Sequence, residues 1–232
     1  MKKIFYIALI LVSANGFSQE FPIVGQYLYN EMIINPASTG HNDILDGQLN
    51  IRKQWMKVEG APSTQTFSLQ SPLMDEKIAV GGIFYRDKIG VSTESGLMGN
   101  FAYRLKLDHG QRLIFGMGAG LFFQRARYSQ LALTDASDQN FMQDSPLGVL
   151  PNFSAGIRYE YENVELGLSI PMILTSYYNS GSEKYELQHR LRNYNYMFRT
   201  AYTYMVSSDF SMKVGGLIKY HPVMKSQMDI TL

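Results

Sequence analysis

Leu97-Met98-Gly99-Asn100-Phe101-Ala102-Tyr103-Arg104-Leu105-Lys106-Leu107 is followed by Asp108-His109-Gly110 and then, from Leu113 to Phe123, by a second alternating run. Successive side chains of an extended chain point to opposite sides. In the first run Leu97, Gly99, Phe101, Tyr103, Leu105 and Leu107 therefore share one face, with Met98, Asn100, Ala102, Arg104 and Lys106 on the other. In the second, Leu113, Phe115, Met117, Ala119, Leu121 and Phe123 oppose Arg112, Gly116, Gly118, Gly120 and Gln124. Asp and Gly between the runs tolerate the left-handed backbone of a tight turn, so the pair reads as a β-hairpin. One of its faces is apolar and aromatic; the charges lie on the other.

The same period spreads in both directions. Phe153, Ala155, Ile157, Tyr159 and Tyr161 oppose Ser154, Gly156, Arg158 and Glu160, and after Glu162-Asn163 comes the face Val164, Leu166, Leu168, Ile170, Met172. Tyr194 to Val206 and Phe210 to Tyr220 repeat it, with Arg199, Lys213 and Lys219 on the polar side. Weaker strands fit at 49–56, 64–71, 78–87 and 227–232, which makes about ten in all. The best-defined segments run about 9–13 residues, enough for a tilted strand to cross a bilayer. Connections after the second, fourth, sixth and eighth strands are short, whereas those at 126–152 and 175–193 are long. Membrane barrels carry short periplasmic turns and long surface loops, so the alternation predicts a periplasmic N-terminus.

Composition narrows the class. Sixteen Tyr and 13 Phe accompany a single Trp and 20 Gly, and Cys is absent, which removes disulfides and thiol-ligated metals. Lys2 and Lys3, an apolar run from Ile4 to Val12 and the small residues Gly16 and Ser18 read as an export signal over 1–18. Beyond it no stretch approaches the about 18 apolar residues of a membrane helix. Within a bilayer only helices and closed barrels satisfy every backbone group. A formal charge of +1 gives nucleic acid nothing to bind. The expected fold is all-β: a transmembrane antiparallel outer-membrane β-barrel over 47–232, preceded by an N-terminal periplasmic or plug segment at 19–46. A soluble sandwich or periplasmic barrel with one wet face has the same alternation, since period alone does not say which face points outward.

No constellation reads as catalytic, and neither an enzyme, a cofactor nor a metal is expected. Gly116-Met117-Gly118-Ala119-Gly120 has glycine-loop spacing but lies within a strand, where the glycines leave room for a neighbouring backbone, a plug or curvature. His41, His109, His189 and His221 fall in separate connections. Asp135, Ser137, Asp138, Asn140 and Asp144 make an acidic loop without the spacing of a calcium motif.

Ahead of the first strand, Asn35-Pro36 stops any helix that begins near Tyr27, so a short helix is expected from about Tyr27 to Ile34, with Gly40 marking a second bend. Such a piece would plug the barrel or close its periplasmic mouth. Arg52 and Gln54 share a strand face, and Gly60 with Pro62 fixes the following hairpin.

Asn35-Pro36-Ala37 with Gly40, Arg52-x-Gln54-Trp55 and Gly60-Ala61-Pro62-x-Thr64, continued by Val80-Gly81-Gly82 and Asp87-x-Ile89-Gly90, resemble the PorP/SprF family of type IX secretion system membrane proteins. The loop from Leu133 to Phe141 resembles it loosely. The resemblance implies an outer-membrane barrel that supports secretion or surface attachment of adhesin-like proteins, of the kind used in gliding motility. Implied partners are outer-membrane lipid, other type IX components and the secreted substrate. The alternative is a passive pore for small solutes. The matched residues either bind a partner or build the barrel. The resemblance also implies about fourteen strands against the ten visible, so the chain is expected either to be truncated or to close as a smaller barrel.

Overall fold

The computed structural model describes residues 27, 30–74, 76–130, 143–179, 184–208, 210–223 and 226–231. Twelve strands follow in chain order: β1 Asp46–Lys53, β2 Ser63–Leu73, β3 Ile78–Ile89, β4 Ser92–Lys106, β5 Arg112–Ala126, β6 Gly148–Tyr161, β7 Val164–Ile170, β8 Thr175–Asn179, β9 Lys184–Gln188, β10 Tyr196–Met205, β11 Ser211–Tyr220 and β12 Gln227–Thr231. Ten form one antiparallel sheet in the order β1-β2-β3-β4-β5-β6-β7-β10-β11-β12, and β8 pairs only with β9. β1 and β12 are the two edges. Among the described residues no helix is long and apolar enough to cross a membrane.

All ten expected strands are present, and the opening hairpin pairs Leu97 with Leu121 and Tyr103 with Phe115. Its turn takes positive φ at His109 (60°) and Gly110 (76°) rather than at Asp108. Two differences follow from local backbone. β1 ends at Lys53, short of Gln54 and Trp55, because Trp55 (φ 48°) and Lys57 (φ 78°) leave the extended region and break the ladder. The segment expected to be one long connection contains the β8–β9 hairpin, whose strands of five residues show too few alternations to register as a period.

The direction of the faces is now fixed. Phe101, Phe115, Met117, Leu121, Phe153, Ile157, Leu168, Phe198 and Ile218 are exposed on the outer side, while Asn100, Ala102, Arg104, Ile114, Ser154 and Arg158 are buried on the inner side. A water-soluble barrel would be built the other way round.

The sheet is strongly curled. Asn30 donates to the Ser68 hydroxyl on β2, the Glu31 carboxylate meets Arg158 on β6 and Arg199 on β10, and the Met32 carbonyl accepts from Asn100 on β4. Three successive residues span at most about 10 Å of chain. From β2 to β10 in a flat sheet is six strand spacings, about 29 Å. Only a sheet wrapped around this segment brings those strands to it.

Candidate functional site: the enclosed segment and its walls

The polypeptide before β1 runs through the curl, and Met32, Ile34, Pro36, Ala37 and Thr39 are almost wholly buried there. Its backbone is not the expected helix. A short 3-10 turn at Glu31–Ile33 is separated from another at Pro36–Ser38 by Asn35 in extended conformation (φ −142°, ψ 110°). Asn30 is itself extended (φ −141°, ψ 90°), which interrupts the helix expected over Tyr27–Ile34, and proline forces Asn35 out of the helical region. Pro36 then opens the second turn and the Asn35 carboxamide oxygen caps it, accepting from the Ala37 N–H at 2.9 Å. The Asn35 amide group also donates to the Ile157 carbonyl on β6 at 3.3 Å. Gly40 turns the chain with φ +71°; its N–H donates to Gln70 at 2.8 Å and its carbonyl accepts from Arg104.

Glycines on the inner face make the room. A methyl group on Gly116 would sit 2.0 Å from the Ala37 nitrogen, one on Gly156 would sit 2.0 Å from Asn35 Oδ1, and one on Gly81 would sit 2.5 Å from the Met32 sulfur. Of the β5 glycines, Gly116 thus leaves space for the enclosed backbone, one of the roles open to it in the sequence, whereas Gly118 faces the side chains of Asn100 and Ser154.

Below Met32 the contacts are ionic. The Arg158 guanidinium, 2% exposed, bonds Glu31, Glu160 at 2.6 Å, Glu165 at 2.9 Å and the Ser38 hydroxyl at 3.0 Å, and it lies 2.9 Å from His41 Nδ1. Arg199 also reaches Glu31, and Lys213 reaches Glu165 at 2.8 Å. Nearer β1, Asp43 is paired with Arg104 and, at 3.4 Å, with Arg112. The enclosed segment thus offers Glu31 and Asp43 to a wall that supplies five cationic side chains. Glu31, His41 and Glu165 bring ligand-type atoms within 4.8 Å of one another. The Arg158 guanidinium lies among those atoms, so the cluster is already charge-compensated by a side chain.

Above Met32 lies a cavity of about 230 Å³ walled by Ile83, Tyr85, Met98, Phe122, Leu150 and Met172. The Tyr85 and Phe122 rings are 5.7 Å apart, and Glu94 accepts from the Tyr85 hydroxyl and from Gln124. Leu187 and Thr175 of the β8–β9 hairpin close one side, and Tyr185 packs against Gly148.

The sequence motif divides between two places. Asn35, Pro36 and Gly40 belong to the enclosed segment. Arg52, Gln54, Trp55, Gly60, Ala61, Pro62 and Thr64 lie at the far end of β1 and β2, where Trp55 is 71% exposed. There the Gln54 N–H donates to the Pro62 carbonyl at 3.0 Å, and the Gly90 N–H donates to the Gly60 carbonyl at 2.7 Å. The buried Thr64 hydroxyl donates to Asp87. Gly60 (φ +73°) also passes so close to Gly90 that a methyl group there would stand 3.1 Å from the Gly90 Cα. This second part of the motif, with Asp87 and Gly90, therefore holds the tips of β1–β2 and β3–β4 together.

The convergence of Glu31, Arg158, Glu165, Arg199 and Lys213 was not readable as a site. Alternation puts Arg158, Arg199 and Lys213 on the polar face, but nothing in spacing says that one buried carboxylate joins them. Asp135, Ser137, Asp138 and Asn140 of the acidic loop lie outside the described residues, as does the export signal. Asp144 is described: it accepts from the Ser129 hydroxyl and N–H, which hold its carboxyl below the usual range, and Arg125 lies 3.5 Å away.

A sequence model of the family described as type IX secretion system membrane protein PorP/SprF matches residues 16–232. No curated protein and no solved structure matches the chain.

Proposed function

Since the chain belongs to the PorP/SprF family of type IX secretion system membrane proteins, we propose that it is an outer-membrane β-barrel that supports secretion or surface attachment of adhesin-like proteins. Residues 1–18 are its export signal, 19–46 its plug segment and 47–232 its barrel. The observation that carries the reading is the inverted sheet: apolar and aromatic side chains face out, and a paired ionic cluster faces in around a buried segment. The family is one of secretion-system membrane components rather than of enzymes, and it brings interaction with other type IX components.

The long connections at 54–62, 127–147 and 171–195 leave one end of the sheet, and tight turns such as 162–163 leave the other. On the barrel rule the tight turns face the periplasm, and the chain enters β1 from that side. Loops on a rigid scaffold commonly carry recognition, so the long-connection end is the surface offered to the secreted protein. A passive pore is less well supported, because residues 30–43 fill the curl with side chains paired to its walls. Arg52, Gln54, Trp55, Gly60, Ala61, Pro62 and Thr64 build the rim rather than bind a protein partner.

Deleting the gene and assaying surface-exposed proteins and gliding tests this role. Loss of one or more secreted adhesins is expected; unchanged secretion and motility contradict it. In planar bilayers the intact chain is expected to be silent, whereas steady conductance favours the pore.

A further inference from the structure

The outer face changes character abruptly along the strand register. Leu49, Phe67, Phe84, Leu97 and Leu121 form one cross-strand row on β1 to β5. Four residues further toward the long-connection end, the row reads Lys53, Ser63, Lys88, Thr93 and Arg125. Arg86 stands between the two rows on β3, and Lys57 joins from the β1–β2 tip. Lys53, Lys57, Arg86 and Lys88 make no ion pair among the described residues, whereas Arg125 pairs with Asp144 at 3.5 Å. Glu59 is the acidic residue of the tip and is exposed. These exposed cations are open to an anion from outside the chain.

The surface there is concave. A shallow, open depression of about 500 Å³ is lined by Lys53, Lys57 and Lys88 together with the apolar residues Met56, Val58 and Pro62, of which Met56 and Val58 are largely exposed. Along the same strands a second, apolar groove lies over Gly82, between Phe67, Leu69, Val80 and Phe84. Lys88 and Gly82 are six residues apart on β3, about 20 Å of extended chain. That is about the distance from a lipid phosphate to the bilayer midplane, where its acyl chain ends.

We propose that this face of β1–β3 seats an anionic lipid, its phosphate among Lys53, Lys57 and Lys88 and an acyl chain in the groove over Gly82. The inference rests on the membrane-spanning reading above. Cations beside an apolar wall attract anionic headgroups through charge, and the wall adds apolar burial. Trp55, the single tryptophan of the chain, stands in the same tip and reports on the seat.

The full chain, folded in phosphatidylcholine nanodiscs with or without phosphatidylglycerol, tests this by Trp55 emission and by native mass spectrometry of retained lipid. Phosphatidylglycerol is expected to shift Trp55 emission to the blue and to be retained several-fold over phosphatidylcholine. The preference should weaken with salt and disappear in the triple variant Lys53→Gln, Lys57→Gln, Lys88→Gln, with Lys88→Gln alone giving a partial loss. Lys106→Gln, at the opposite end, should keep it. Equal retention of both lipids, or an unchanged triple variant, overturns the proposal, as does displacement of the lipid by inorganic phosphate, which would make the site one for a free anion. Heat-modifiable migration on gels, read in parallel, reports the barrel. If that is lost in the unsubstituted chain, the membrane-spanning reading has failed, not the lipid seat.

Discussion

Arg158 is the side chain on which the interior most depends. It is almost fully buried and bonded to three carboxylates, one of them on the enclosed segment. Removing one member of a buried ion cluster leaves the others uncompensated, at about 3–5 kcal/mol. Arg158→Leu is therefore expected to lower the unfolding free energy of the detergent-folded protein, obtained from urea titration, by an amount in that range. Arg158→Lys should recover little of it, because an ammonium does not reproduce the planar fork that bonds several acceptors at once. Gly116 carries a different constraint. A methyl group there meets the backbone of Ala37, which has no side-chain rotamer to relax. Gly116→Ala is expected to cost about 1–3 kcal/mol by overpacking and to make Ser38→Cys reactive toward a water-soluble maleimide. Gly99→Ala, on the outer face with its nearest neighbour at 3.9 Å, should be neutral in both readouts.

At the scale of elements, the ten-stranded sheet and the β8–β9 hairpin are separate hydrogen-bonding systems. Replacing residues 175–188 by a short Gly/Ser connector is expected to preserve heat-modifiable migration and the unfolding free energy to within about 1 kcal/mol. It should open the cavity beside Tyr85 to solvent, read as faster quenching of an environment-sensitive probe attached at Phe122→Cys. The strands were legible because each carries several alternations, as in Leu97 to Leu107. The hairpin was not, since its strands are too short to show a period. The helix expected near Tyr27 was half legible: Asn35-Pro36 was correctly a stop, but the extended backbone at Asn30 leaves only a 3-10 turn at Glu31–Ile33 before it, and Pro36 opens a second such turn beyond it. Gly116 was legible as a place of close approach; that Ala37 approaches it was not, because the contact joins residues distant in sequence.

For the whole molecule, alternation left open which face points outward, and the fold answers that with Phe101 and Phe115 outside and Arg104 and Arg158 inside. A sheet of that polarity is at odds with water on its outer side and suited to lipid. Its inner polar groups are met by Glu31, Asn35 and Gly40, so the N-terminal stretch belongs to the architecture as much as the strands do. A charge placed on the outer face near mid-height, such as Phe101→Lys, should reduce folding into vesicles by about 2–4 kcal/mol, while Lys106→Gln should change little. The most direct test of the inverted, lipid-facing sheet is a nitroxide scan of β4, one cysteine at a time from 97 to 104, in the membrane-reconstituted full chain. Accessibility to oxygen, which concentrates in lipid, should peak at 97, 99, 101 and 103 and fall at 98, 100, 102 and 104, where the enclosed segment and the opposite walls shield the label. High accessibility of positions 97, 99, 101 and 103 to a water-soluble nickel chelate, or no alternation at all, would contradict the account.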